Sequence, residues 1–273
     1  MKFLILAHRW DASAAAVAAA LRRRHPAHES RLVTLEELIF APSWAHRVDS
    51  GGVVSEVRLH DGCVLRSDET GVVLHRLGSF DLPQFGKQDR SYAVAEMSAL
   101  LLSWLEGFPC PVINPVTPRG FCLGRSPVRW LALAAEAGLP LPRMRLTSNL
   151  RRFPADGLQS ADSSLPSVTF PIAGRSAAFL AEPPGPETHS VLLAGEDVCG
   201  DLPPGLLSAC RAFARLADAL VLRLNFTSGG RHGPRWIFSS AEPIPVLDAN
   251  ELSAVVQLME RVADEDQSVA KVA

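Results

Sequence analysis

Apolar positions along this chain switch between two periods, and the switches mark its elements. Lys2 to Ala7 is a run of apolar residues one strand long, the pattern of a strand covered on both faces. Asp11 then opens an alanine-rich helix that reaches Arg24, with the aspartate placed to cap its free N–H groups and Pro26 to end it. Arg31 to Thr34 reads as a second strand, with a short helical stretch over Leu35 to Phe40. Two alternating runs flank Asp61-Gly62, a hairpin signal, and Gly71 to Leu77 reads as a further strand. A helix follows from about Asp89 to Gly107. Its Ala93, Met97, Leu100, Leu101, Trp104 and Leu105 recur at helical spacing, which predicts one stripe packed on the sheet.

The second half opens with a short strand over Pro111 to Ile113 and a Pro/Gly-rich loop. Ser126 caps a helix that begins with Pro127 and stops at Gly138, and a strand follows Pro142. From Asn149 to Pro186 the chain is rich in Ser, Pro and Gly. Only Ser167 to Ile172 and Ala177 to Leu180 read as strands there, and Leu158 to Leu165 has the composition of a linker. Ser190 to Cys199 reads as a hairpin turning at Gly195-Glu196-Asp197. Leu202-Pro203-Pro204-Gly205 leads to a helix to about Leu220, and strands over Leu220 to Phe226 and from Arg235 and a last helix over about Asn250 to Ala263 complete the chain, with a polar tail. A β-α-β opening followed by mixed elements indicates an α/β protein with an open sheet.

Composition narrows the function classes. With 47% hydrophobic residues the 273-residue chain can bury a large core, and its net charge of −2 gives no electrostatic case for nucleic acid or membrane partners. The five cysteines are scattered without a C-x-x-C pair, so neither a zinc knuckle nor a disulfide framework is indicated, and a cytoplasmic location is expected. All but three of the 27 basic residues are arginines. Only Lys2, Lys87 and Lys271 are left for chemistry that needs a lysine. His25 and His28, and the glycine turn Gly229-Gly230-Arg231-His232-Gly233, are weak candidates for a metal and an anion. No P-loop, nucleophile elbow or dinucleotide fingerprint is present.

One stretch carries more. Ile113-Asn114-Pro115, then Ala137-Gly138-Leu139-Pro140-Leu141-Pro142, then Thr147 resembles the passage from the first domain to the ATP-binding domain of ATP-grasp ligases of the RimK-like and graspetide (peptide-maturation) kinds. Arg76, the Tyr92-Ala93-Val94-Ala95-Glu96 run and the closing strand-turn-strand-helix fall in that family's order, so the resemblance spans about Lys2 to Ala263. It implies an open α/β N-terminal domain (1–120), a reduced middle lobe (121–188), an α+β C-terminal lobe (189–265) and a tail (266–273).

The chemistry the resemblance implies is activation of a carboxylate as an acyl phosphate and its capture by an amine, which relies on positioning and charge neutralisation. The family's two phosphate-binding lysines fall on Arg125 and Phe170 here, with Arg175 the nearest cation, and its adenine hinge falls on Glu182. Its magnesium aspartate, glutamate and asparagine fall on Asn225, Ser240 and Glu242, and Arg76 and Glu96 fall where the first domain meets the peptide. Two readings follow. In one, the scaffold persists without the chemistry, no cofactor is expected, and the chain binds a peptide substrate or an active ligase. In the other, a divergent ATP-dependent carboxylate–amine ligase uses Mg-ATP with Arg125, Arg175, Asn225 and Glu242 as stand-ins.

Overall fold

The computed structural model describes residues 3–50, 52–117, 120–121, 125–142, 144–147, 168–172, 175–181, 187–228 and 236–270. Strand β1 (Phe3–Ala7) leads into α1 (Ala12–Arg24), whose first turn is closed by Asp11 accepting from the Ala14 N–H at 3.0 Å. β2 (Ser30–Thr34) runs into α2 (Leu35–Ile39) through a capping box in which Thr34 and Glu37 bond each other's backbone N–H. β3 (Ser43–Asp49), β4 (Gly52–Arg58) and β5 (Val64–Arg66) form a small antiparallel sheet. β6 (Val72–Arg76), the long α3 (Lys87–Glu106) and β7 (Val112–Ile113) complete the first half. The parallel sheet has the order β2-β1-β6-β7.

The β4–β5 hairpin was legible from Asp61-Gly62, and Gly62 does sit at φ +83°. β3 was not expected. It pairs with β4 along its whole length, and its Trp44 meets Trp104 of α3 edge-on at 5.4 Å, so the small sheet packs on α3 there. Residues of β1 alternate between two cores. Phe3, Ile5 and Ala7 join α1, while Leu4 and Leu6 join the cluster containing Trp104 and Val57.

Beyond β7 come α4 (Pro127–Glu136), β8 (Met144–Thr147), β9 (Val168–Ile172) and β10 (Arg175–Ala181), the last three forming a sheet of order β8-β10-β9. Then follow β11 (Thr188–Ala194), β12 (Asp197–Cys199), α5 (Pro204–Leu216), β13 (Val221–Thr227), β14 (Ile237–Glu242) and α6 (Ala249–Ala270). The four strands form an antiparallel sheet of order β12-β11-β13-β14. α4 behaves as its caps dictate. Ser126 accepts from the Arg129 N–H at 3.3 Å, and Gly138 at φ +80° closes a Schellman turn through the Gly138 N–H to Ala135 and the Leu139 N–H to Ala134.

Two helices end away from their sequence boundaries. α5 stops at Leu216 rather than near Leu220, because Asp218 turns left-handed (φ 50°) and the Ala219 N–H returns to the Ala214 carbonyl. α6 runs past Ala263 to Ala270. Its start is a capping box, with Asp248 accepting from the Glu251 N–H and Glu251 accepting from the Asp248 N–H, both at 2.9 Å.

The cores cut across the divisions read from the sequence. α4, grouped there with the middle segment, buries Trp130, Leu131 and Leu133 with Phe213 of α5 and Phe238 of β14, inside the C-terminal lobe. α6 buries Val255 and Met259 in one cluster with Ile5, Val17, Leu74, Leu192 and Val221, so it serves the first and last sheets at once. At its outer edge Glu260 takes Arg24 at 3.2 Å and His25 at 2.7 Å, and His25 is thereby an anchor between α1 and α6.

Candidate functional site

Strand register assembles the first group. β13 and β14 pair Arg223 with Glu242 and Asn225 with Ser240, with a bulge beside Asn225 and Phe226. Residues directly opposite share a face, and so do residues two apart on one strand, so Asn225, Ser240 and Glu242 converge. α6 covers this sheet near Val221, while Ser240 and Glu242 stay exposed. The Asn225 Nδ2 donates to Ser240 Oγ at 3.0 Å and to Glu242 Oε1 at 2.8 Å. The resemblance had named these three together, and they are neighbours on one face. It missed Arg223 on the same face, whose guanidinium donates to Glu251 at 2.6 Å and to the Val246 carbonyl at 2.7 Å. Asp248, farther along the same loop, is occupied as the cap of α6. Among the described residues no three His, Cys, Asp or Glu side chains are placed to hold a metal.

The remaining nucleotide-site positions lie on other elements or outside the described residues. The Arg125 guanidinium lies over the Trp130 ring, 5.1 Å from its centroid, at the foot of α4. Phe170 pairs with Ala177 across the β9–β10 ladder, and Arg175 pairs with Ile172. Glu182 and the glycine turn at 229–233 lie outside the described residues.

Arg76 and Glu96 are not one cluster. Arg76 is buried at the end of β6, with Nε on Asp11 Oδ2 at 2.8 Å, and Nη2 on Asp11 Oδ1 at 3.1 Å and on the Pro245 carbonyl at 2.9 Å. Glu96 is exposed on α3. The structure therefore gives Arg76 a tethering role between α1, β6 and the segment after β14. Removing one partner of a buried pair leaves the other charge uncompensated, which is why Asp11 and Arg76 stand or fall together.

One strand over from Arg76 lies a dense polar junction. Asn114, which the sequence supplied only as part of a motif, adopts φ 58° and is buried. Its Nδ2 donates to the carbonyls of Val221 at 2.7 Å and Pro243 at 3.0 Å. Its Oδ1 accepts from the N–H groups of Leu220 at 3.0 Å and Val221 at 2.9 Å. Both amide hydrogens and both lone pairs are used. His75 completes the junction, its Nδ1 3.1 Å from the Asn114 carbonyl and its ring 5.7 Å from Phe121. A carbonyl only accepts, so Nδ1 carries the proton and Nε2 is bare, and Nε2 is buried with no hydrogen-bond partner among the described residues. Burial holds the His75 pKa down to about 4, against a smaller upward pull from the Asn114 carbonyl.

A parallel first sheet, a small antiparallel middle sheet and an antiparallel C-terminal sheet backed by helices, in this order, make the ATP-grasp fold. Solved structures carry the same arrangement. The RiPP-associated ATP-grasp ligase of Chryseobacterium gregarium, in complex with ADP and a leader and core peptide, superposes with a TM-score of 0.71 at 10% identity, over 95% of this chain and 96% of that one. The macrocyclase MdnC of Microcystis aeruginosa MRC, bound with precursor peptide MdnA, gives 0.72 at 14% identity, over 96% and 100%. The ATP-grasp ligase PsnB, complexed with a phosphomimetic variant of its minimal precursor, Mg and ADP, gives 0.68 at 16% identity, over 95% and 98%. No protein-family model and no curated protein matches the chain by sequence. The likeness is one of fold over nearly the whole length, and it bears out the α/β, ATP-grasp reading of the sequence. No helix among the described residues is long and apolar enough to cross a membrane.

Proposed function

We propose that this protein is an ATP-grasp-fold binding partner in peptide maturation, taking up a precursor peptide or an active ligase without itself using Mg-ATP. The carrying observation is the hydrogen bonding of Asn225 to Ser240 and Glu242. Magnesium needs near-octahedral oxygen ligands, carboxylates among them. Here the one carboxylate of the three residues, Glu242, already accepts from an amide N–H. Turned over, the amide would offer its oxygen beside a single carboxylate, the least that magnesium sites draw on, and only by giving up its bonds to Ser240 and Glu242. The three residues are therefore a poor site for the ion. The sequence adds to this: no lysine lies between Lys87 and Lys271, so the phosphate lysines have no replacement by a shift of register. The peptide half of the reading draws on the precursor peptides held by the similar structures.

The test is calorimetric titration of the purified protein with Mg-ATP. Absence of one charge-assisted hydrogen bond to the nucleotide costs about 1.5–3 kcal/mol. Absence of two weakens binding by a factor of hundreds or more, at about 1.4 kcal/mol per tenfold. No heat of binding is expected at micromolar concentrations of either component. A dissociation constant in the low micromolar range would overturn the reading in favour of a working ligase, and Arg125→Ala would then be the first variant to measure.

A further inference from the structure

Helix α3 carries the expected apolar stripe, but only part of it is covered. Leu101, Trp104 and Leu105 of its C-terminal half are buried under the small sheet, and Met97 touches the same core. The N-terminal half leaves the rest of the stripe open. Asp89, Tyr92, Ala93, Glu96, Met97 and Leu100 recur at intervals of three and four and form the floor of a groove of ≈ 700 Å³. Phe40 at the end of α2 and Phe85 in the loop before α3 form its walls. Four large side chains stand out of it: Tyr92 is 69% exposed, Phe40 55%, Phe85 42% and Leu100 38%. Contiguous apolar surface of this kind marks an interaction site. The loop wall is fixed, because Arg90 donates to the carbonyls of Pro83 at 3.2 Å and Phe85 at 3.3 Å and lies 3.6 Å from Asp81.

We infer that this groove docks an amphipathic, basic helix of a partner polypeptide. Three observations select that occupant. The stripe runs about 17 Å along α3 at 1.5 Å per residue, the length of three helical turns. The walls are a helix, a helix end and side chains rather than a free sheet edge. A β-strand would find no sheet edge to pair with there, whereas a helix satisfies its own backbone N–H and C=O groups. The charge on the floor is acidic: Asp89 and Glu96 lie two turns apart and neither has a side-chain hydrogen bond or salt bridge among the described residues. Of the cations on the same helix, Arg90 is held by the loop, and Lys87 lies at the helix start, outside the groove lining. A second copy of this chain fits poorly. A two-fold contact centred on the stripe would bring Glu96 toward its own copy, with like charges in an apolar contact.

Tyr92 is the single tyrosine of the chain, so biosynthetic labelling with 3-fluorotyrosine gives one ¹⁹F signal inside the groove. The probe is a synthetic helical peptide with leucines at intervals of three and four and lysines two turns apart beside them. It is compared with the same peptide carrying glutamates for the lysines. The lysine peptide is expected to shift the ¹⁹F signal saturably, and the glutamate peptide to bind about three- to tenfold more weakly, the scale of two exposed charge pairs. The double variant Asp89→Lys/Glu96→Lys should reverse the order. No saturable shift, equal affinity for the two peptides, or an order unchanged by the variant would overturn the inference. A shift that grows with protein concentration in the absence of peptide would assign the groove to self-association and overturn it as well. The experiment contains no nucleotide, so its failure and the failure of the Mg-ATP reading are separately visible.

Discussion

Replacing Asn114 by alanine is expected to lower folding stability by about 4–6 kcal/mol, a large share of the roughly 5–15 kcal/mol that domains have. The side chain makes four hydrogen bonds to backbone groups of Leu220, Val221 and Pro243. Truncation leaves two N–H groups and two carbonyls to find new partners in a junction closed to water, and each buried orphan costs about 1–3 kcal/mol. Partial relaxation keeps the sum toward the lower end. Alanine adds a further cost of about 1 kcal/mol at φ 58°, which asparagine tolerates better. Asn114→Gly isolates that backbone share, because glycine accepts the angle freely, and it should recover about 1 kcal/mol of the loss and no more. Urea unfolding of the three proteins measures both numbers. A loss under about 2 kcal/mol for Asn114→Ala, the cost of a single buried orphan, would mean that the junction is not what fastens the first sheet to the C-terminal lobe.

Acid is expected to unfold the protein more readily than its carboxylates alone require, through His75. Its folded pKa is about 4, below the ordinary value of 6.5, because the charged form would be buried beside Phe121, with no acceptor for a second N–H among the described residues. Below 6.5 the unfolded chain therefore binds a proton that the folded chain refuses, so stability rises with pH across this window. The contribution is fully present above about 6.5 and falls away as pH drops toward 4. It amounts to about 3 kcal/mol for a shift of this size at 1.36 kcal/mol per unit. Unfolding free energies at several values between about pH 7 and pH 4 should show this slope in the native protein and lose it in His75→Gln. Parallel slopes in the two proteins would remove His75 as the cause.

Both predictions fall on residues whose roles are set by partners distant in the chain. Asn114 bonds groups 106 to 129 positions away, and Arg76 reaches Pro245 across 169. No periodicity or turn signal extends so far. An arginine at a strand end reads the same whether it meets a peptide or an internal aspartate.

Local patterns did fix the elements. Asp11, Thr34 and Ser126 cap helices, and Gly62 and Gly138 take the left-handed turns their positions demand, because capping and turning involve groups within a few residues. The Asn225, Ser240 and Glu242 group came from the resemblance to ATP-grasp ligases, and the pairing of β13 with β14 sets the three on one face. β3 was missed although the sequence offers a Gly51-Gly52 turn signal before β4. What needed the tertiary structure was which surface each apolar stripe meets. α4 packs into the C-terminal core, α6 joins two sheets, and α3 divides its stripe between a buried half and an open groove. Hydrophobic burial is non-directional, so a stripe encodes that it will be covered or docked, and only the arrangement of the other elements decides by what.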